Sequence, residues 1–406
     1  MINEVLPIDG WKACGIDITP QGCVVKYKFE DPVFLLCPHD RKPGPTIHRR
    51  YTVKVRDLPL GIHRSTLEVE VLECWCPKCR CFHSVRPGEL HGTMGMTWRL
   101  MWHISWLVKE GSVADVARSM GIPEKTVSRA NKAVLEVVDF LTPVKLDNLD
   151  AIVVDEKFLG RRLKFITVVT DKGGELLYIG RGKGEESLKG FFDIMTEEQK
   201  GRIKVVGADR SNAYTKAVRE HLPGADICYD RFHIIKNAND ALTKVRRAEF
   251  KRNDRGSKVL KGSKYLLLSN LENLEDKGRD RLRQLLDLNE NINKAHILKE
   301  GLRHLYTLDS EEEARKHFDD WIAQALESGL KPFVSMATRL KEQAGAVLGY
   351  FRYKLTSGVI EGLNSKIAKI QFQMRGITSI RYLYLKLRES SCHEFREKLA
   401  PVYAES

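Results

Sequence analysis

No stretch of the 406-residue sequence approaches the roughly 20 consecutive apolar residues that a membrane span needs. No N-terminal run resembles a secretory leader either, so the chain reads as cytosolic, with no membrane partner. Cysteine is scarce over most of the length: only Cys228 and Cys392 lie beyond residue 81. In a reducing compartment, clustered cysteines bind metal more often than they form disulfides. Acidic residues are the minority charge, 54 Asp plus Glu against 67 Lys plus Arg, for a formal net charge of +13. That balance favours a polyanionic partner through counterion release. Hydrophobic content of 42% allows a real core, and the length leaves room for roughly two to four domains.

Residues 1–90 read as a β-rich, cysteine-rich unit. Tyr51–Arg56 and Ser65–Leu72 alternate polar and apolar residues, as half-buried strands do, and Leu58–Gly61 is the turn between them. Residues 91–147 read as helical. Trp98, Trp102 and Trp106 repeat every four residues on one helix face; a base-stacking surface is conceivable there, and a buried stripe is the preferred reading.

Ser112 to Arg129 then carries a cap at Ser112, a left-handed stop at Gly121 and a helix start at Pro123. Apolar residues fall where two crossed helices pack, the helix-turn-helix pattern whose second helix enters a major groove. Lys125, Thr126, Ser128 and Arg129 are the side chains expected to meet DNA; an ordinary helical hairpin is the bland alternative.

From residue 148 the pattern becomes strand, strand, strand, helix, strand, helix, strand, helix. Ala151–Asp155 and Arg202–Asp209 are buried strands, each ending in an acid. Two hairpins followed by right-handed crossovers set the fourth strand parallel to the first and beside it. Asp155 and Asp209 then share one sheet edge, where ligands of open α/β sheets collect. The fold class expected is multidomain α/β, with a ribonuclease H-like core of five mixed strands over residues 148–252. A helical insertion follows over 253–350, and 351–406 returns to the core. Lys251, Arg252, Arg255, Lys258, Lys261 and Lys264 form a basic run that lines either a DNA path or plain solvent.

The last segment supplies a third acid. Ser357 is a candidate cap, and Glu361 and Asn364, three residues apart, share a helix face. Phosphodiester transfer builds charge on attacking and leaving oxygens, and two cations about 3.5–4 Å apart stabilise both. Magnesium takes oxygen ligands, so a few carboxylates on a rigid sheet suffice. Spacing alone does not assign Glu361. Asp230 and His233 stand at a strand-to-helix junction near the same edge, where His233 either orients a neighbour or caps the helix. Glu156 faces away from Asp155 if the strand continues.

The blocks Asp155–Phe158, Val206–Asp209, Asp230–Lys236, Lys261–Leu268 and Glu361–Asn364 resemble those of bacterial insertion-sequence DDE transposases. The similarity is to the group with an N-terminal zinc finger and helix-turn-helix, the ISL-three family, and it spans about residues 35 to 390. The resemblance implies a catalytic triad of Asp155, Asp209 and Glu361 holding Mg²⁺ or Mn²⁺, with Asp230 and His233 as an accompanying motif. It implies cleavage at element ends, then strand transfer by the freed 3′-hydroxyl. The DNA partners implied are terminal inverted repeats and target duplex, in a nucleoid-associated homodimer or larger synaptic assembly. The competing functions are a repressor with a vestigial acidic site and a nuclease without strand transfer.

Cys76 and Cys79 have the two-residue gap that lets both thiolates reach one structural Zn²⁺. Cys37 and Asp40 are the expected second pair. The similar family shows cysteine where Asp40 stands, so His39, Asp40, Cys74 and Cys81 all compete for the fourth position.

Overall fold

The structure, a computed structural model, describes residues 7–32, 35–37, 39–252, 262–270, 273–355, 358–374, 377 and 379–399. The chain divides into two compact units, one of residues 1–143, 370–376 and 381–406, the other of 144–369 and 377–380. Ser357 and, from the basic run, Arg255, Lys258 and Lys261 lie outside the described residues. Among the described residues no helix is long and apolar enough to cross a membrane.

The first unit begins with strands β1 (Trp11–Thr19), β2 (Gly22–Phe29), β3 (Thr46–Leu60), β4 (His63–Cys76) and β5 (Cys81–Val85). They form one sheet in the order β1-β2-β4-β3, with β5 on β4. Alternate residues Ser65, Leu67, Val69 and Val71 of β4 face inward, as a strand with one wet face requires. Leu67 and Val69 pack with Trp11, Val25 and Tyr27. β3 runs through Leu58 and Pro59, so the expected turn shortens to Gly61 and Ile62, with Gly61 at φ 59°.

Three helices follow: α1 (Trp98–Glu110), α2 (Val113–Met120) and α3 (Glu124–Leu141). The Ser112 hydroxyl accepts from the Asp115 N–H, and Gly121 closes α2 in the left-handed region at φ 61°. Val113, Val116, Ala117, Ile122, Val127 and Val134 form the core between the helices. The tryptophan stripe of α1 is not the buried one. Leu100, Met101, Ile104 and Val108 face the core, and the three tryptophans are half-buried beside it. Helices Ile380–Ser391 and His393–Leu399 supply Tyr382, Leu385 and Phe395 to the same core. A buried polar chain ties them in: Ser105 donates to the Asn131 amide oxygen at 2.8 Å, and the Asn131 amide donates to the Tyr382 hydroxyl at 2.6 Å.

In the second unit, β6 (Ala151–Phe158), β7 (Phe165–Asp171), β8 (Leu176–Arg181), β9 (Val205–Ala208) and β10 (Asp226–Tyr229) form a sheet in the order β10-β9-β6-β7-β8. β6 is antiparallel to β7 and parallel to β9, Ala151 facing Val205 and Val154 facing Ala208. Two details differ from the sequence reading. β6 continues three residues past Asp155, and the segment read as strand from Arg202 is helical up to Arg202.

Helices α4 (Glu185–Asp193) and α6 (Asn212–His221) cover one face through Phe191, Phe192, Tyr214 and Val218; the short α5 (Glu197–Arg202) lies between them in sequence. Helix Ala344–Tyr353 covers the other face near β10, where Arg352 and Tyr353 hold Asp226 at 3.0 and 2.6 Å. The long α7 (Arg231–Arg252) packs with the helices between Asp276 and Glu342 around a core of Leu242, Leu302, Phe318 and Phe333.

Gly180 shows how tightly α4 sits on the sheet. A Cβ there would stand 1.9 Å from the Ser187 carbonyl oxygen, so Gly180→Ala must lever the helix outward. We expect a loss of about 3 kcal/mol, read as a lowered denaturation midpoint with an unchanged m-value.

Candidate active site and cysteine centre

The strand order brings two of the expected acids together. Asp155 lies on β6 opposite Val168 and is 9% exposed. Asp209 follows the last residue of the neighbouring parallel strand β9, and its Oδ1 accepts from the Ser211 N–H at 3.0 Å. Asp230 follows β10, and its own N–H donates to the Ala208 carbonyl at 3.1 Å. Three adjacent parallel strands thus bring acids to one sheet edge: Asp155 within β6, and Asp209 and Asp230 just past β9 and β10.

The distant C-terminal helix Gly358–Gln373 meets them. The Asn364 amide donates to Asp155 Oδ2 at 3.1 Å across 209 residues of sequence. Glu361, one turn earlier on the helix, is exposed and lies within electrostatic reach of Asp230. His233, at the start of α7, places Nε2 3.8 Å from Asp230 Oδ2. Asp230 also accepts from the Phe232 N–H at 3.0 Å, so it acts as a helix cap as well as a partner of His233.

Burial pushes the carboxyls of Asp155, Asp209 and Asp230 above the ordinary carboxylate range. The bonds from Asn364, the Ser211 N–H and the Phe232 N–H pull the other way, as does His233, but do not prevail. Asp230 further raises Asp155, Asp155 raises Asp209, and Glu361 raises Asp230. Like charges in one half-buried site each disfavour ionisation of the others, a cost that a cation among them would relieve. Oxygen donors on rigid strands suit a hard divalent ion. Among the described residues, trios of ligand atoms within 4.8 Å of one another occur at the cysteines and not at these acids.

Two basic residues near the edge were not legible in the sequence. Lys183, which holds its ammonium 4.5 Å over the Phe165 ring, adds positive charge near Asp209. Arg210, next to Asp209, gives two hydrogen bonds to the Gln343 amide oxygen, at 3.1 and 2.8 Å. The latter contact spans 133 residues, and no local pattern foretells it.

The cysteine unit departs from the expected ligand set at one position. Sγ atoms of Cys37, Cys76 and Cys79 lie within 4.8 Å of one another. A second trio joins His39, Cys79 and Cys81, with Cys79 and Cys81 sulfurs 3.2 Å apart. Asp40 belongs to neither trio: its oxygens accept from the Lys42 N–H at 3.1 Å and Lys78 at 3.5 Å. Register explains the difference. Cys76 pairs with Cys81 at the end of the β4–β5 hairpin, which brings a further thiol to the site. Cys74, two pairs further in, is fully buried and is in neither trio. The two trios share Cys79, and thiolate and imidazole donors of this kind suit tetrahedral zinc.

In the first unit, Lys125 and Arg129 of α3 are exposed, and Thr126 and Ser128 are half-buried.

A family profile described as "Transposase", the ISL3 group of DDE transposases, matches residues 152–387. The transposase for insertion sequence element IS1001 of Bordetella parapertussis is 29% identical over 391 residues, 94% of this chain and 96% of that protein. The transposase for IS1557 of Mycobacterium tuberculosis is 29% identical over 342 residues, 77% of this chain and 75% of its own length.

Proposed function

The chain belongs to the ISL-three (ISL3) family of DDE transposases, and on that premise we propose that it binds the terminal inverted repeats of an insertion sequence and cuts and rejoins DNA there. Asp155, Asp209 and Glu361 are the acids that hold Mg²⁺ or Mn²⁺. One observation carries the reading: Asn364, on the helix that bears Glu361, hydrogen-bonds Asp155 beside the strand that leads to Asp209. The second sheet is read as a ribonuclease H-like core, which its order of three strands linked by two hairpins and then two parallel crossovers supports. We read α2 and α3 as a helix-turn-helix and residues 1–90 as a zinc-bearing unit.

When bound, divalent cations stabilise charge on the attacking and leaving oxygens of the phosphodiester and favour an ionised nucleophile near neutral pH. The chain's own residues supply the frame. β6 and β9 fix Asp155 and Asp209 side by side, Asn364 orients the Asp155 carboxylate, and Glu361 closes the site from the helix. His233, held by Asp230, is placed to orient one of the acids or a phosphate oxygen. Two ends must be handled together, so a dimer or larger assembly is the expected active form.

Labelled element ends incubated with the protein and Mg²⁺ test the reading. Cut ends and joined products are expected. Binding without metal-dependent cleavage would instead indicate a repressor, and cleavage without joined product a nuclease.

The cysteine centre yields a separate expectation. Purified protein should carry close to one zinc per chain by elemental analysis. Cys79→Ser should lose the metal and weaken end binding about tenfold or more as the small N-terminal unit loosens. Asp40→Asn should keep its zinc. Zinc loss in the latter variant would restore Asp40 as the fourth ligand.

A further inference from the structure

The hairpin of β3 and β4 ends beside the turn that joins α2 to α3, and two arginines fix it there. Arg56 donates from Nη1 to the Gly121 carbonyl at 3.2 Å. From the other strand, the Arg64 guanidinium lies against Gly121, 2.3 Å from where a Cβ would stand. Glycine is favoured at position 121 by its φ of 61°, and its missing side chain leaves room for the Arg64 guanidinium. Between hairpin and helices runs an open groove of about 650 Å³ lined by Arg56, Asp57, Arg64, Ser65, His103 and Ser119, among others.

The charge of this groove is uneven. Asp57 is its carboxylate, and it is 4% exposed and fully engaged by Arg99 and by the Thr97 hydroxyl at 2.6 Å. Arg56 and Arg64 are exposed, and neither pairs with a carboxylate among the described residues. Ser65 is 3% exposed, and its hydroxyl meets no hydrogen-bond partner there. The hairpin tip, Gly61 and Ile62, stands free, with Ile62 96% exposed. Immediately beyond Gly121 begins α3, with Lys125 and Arg129 exposed on its first turns.

We infer that the β3–β4 hairpin is a wing of the helix-turn-helix, and that Arg56 and Arg64 grip the phosphodiester backbone beside the base pairs that α3 meets. The inference deepens the proposed function and rests on its reading of α3 as the DNA-facing helix. The groove's arginines contact phosphates and position the protein, whereas Lys125 and Arg129 read base edges.

Fluorescence anisotropy with the full chain tests it, on a duplex bearing an end of the element and on a scrambled duplex, across a salt series. Arg56→Gln with Arg64→Gln should weaken binding to both duplexes about tenfold and equally. The slope of log affinity against log salt should fall by about 2, one for each lost phosphate contact. The preference for the element end should not change. Lys125→Gln with Arg129→Gln should instead reduce that preference.

An unchanged salt slope in the Arg56/Arg64 variant overturns the wing, and so does loss of end preference with unchanged affinity for scrambled DNA. Should that variant fail to fold, phosphate ethylation interference on the wild-type complex decides: protected phosphates must extend beyond the segment affected by the Lys125/Arg129 variant. If the wild type prefers neither duplex, end recognition fails. The slope comparison on scrambled DNA still judges the wing.

Discussion

Asp155→Asn is expected to lower metal-dependent strand cleavage at least about 10³-fold and, in the same preparation, to raise the melting temperature of the metal-free protein. The loss follows from the site: about 4 kcal/mol of transition-state stabilisation disappears when a carboxylate that holds the cation becomes a neutral amide. The gain follows from burial. Asp155, Asp209 and Asp230 all have folded pKa values above their ordinary ones, chiefly because they are desolvated.

A carboxyl of that kind binds its proton more tightly folded than unfolded. Its contribution to stability is fully present below the unfolded value and is lost as pH rises through the folded one. At neutral pH the ionised cluster therefore costs stability, and the isosteric amide relieves part of that cost. Two-temperature or scanning measurements without metal should show the variant melting a few degrees higher. Wild-type stability should fall as pH rises from the ordinary carboxylate range into the window just above it. Mg²⁺ or Mn²⁺ should raise the wild-type midpoint and leave that of the variant nearly unmoved, since a ligand stabilises only the state that binds it. A variant that melts lower without metal, and gains as much from Mn²⁺ as the wild type, would remove Asp155 from the metal site.

The parts of this architecture that were legible are those fixed by short-range pattern. Two hairpins and two crossovers determine that β9 lies parallel to β6, and this pairing is observed from Ala151 against Val205 onward. The Ser112 cap and the Gly121 stop are local chemistry and stand where the residues suggest. What misled was competition between equally good local patterns. α1 carries two apolar stripes, and the smaller residues Leu100, Met101, Ile104 and Val108 take the core while the tryptophans remain half-buried. The acid Asp155 was read as a strand end, but Phe158 pairs with Phe165 and packs on its ring at 5.1 Å, which carries β6 onward.

A helix start stands at Thr196 where the sequence analysis places none. Its hydroxyl accepts from the Gln199 N–H and the Gln199 side chain accepts from the Thr196 N–H, a reciprocal cap visible in the sequence as Thr-x-x-Gln. The cysteine centre needed register: only the pairing of Cys76 with Cys81 reveals why a thiol, and not Asp40, stands beside Cys79. The packing of residues 381–399 with α1 to α3 depends on tertiary contacts such as Asn131 with Tyr382, which no window of sequence contains.

Glu361→Gln is the second substitution expected to reduce strand cleavage about 10³-fold, and Asn364→Leu separates holding the metal from placing the holder. Glu361 is solvent-exposed, so its replacement by an isosteric amide leaves packing alone and should not move the melting temperature measurably. Its effect should appear in turnover with DNA affinity preserved, the pattern of a group that acts in the transition state. Asn364 touches no reacting atom in this reading. Its hydrogen bond to Asp155 ties helix Gly358–Gln373 to β6 and sets how closely Glu361 approaches the two aspartates.

Leucine at 364 breaks that bond and leaves all three acids in the chain. Cleavage should drop about 10–100-fold, a misplacement effect, and half-maximal activity should require more Mn²⁺. Excess Mn²⁺ should restore much of the activity of Asn364→Leu and little of that of Glu361→Gln. Equal failure of rescue in both would make Asn364 part of the metal site itself. Full activity in Glu361→Gln would mean that the helix meets Asp155 for structural reasons alone, and that the third acid must be sought elsewhere, with Asp230 a further carboxylate at the same sheet edge.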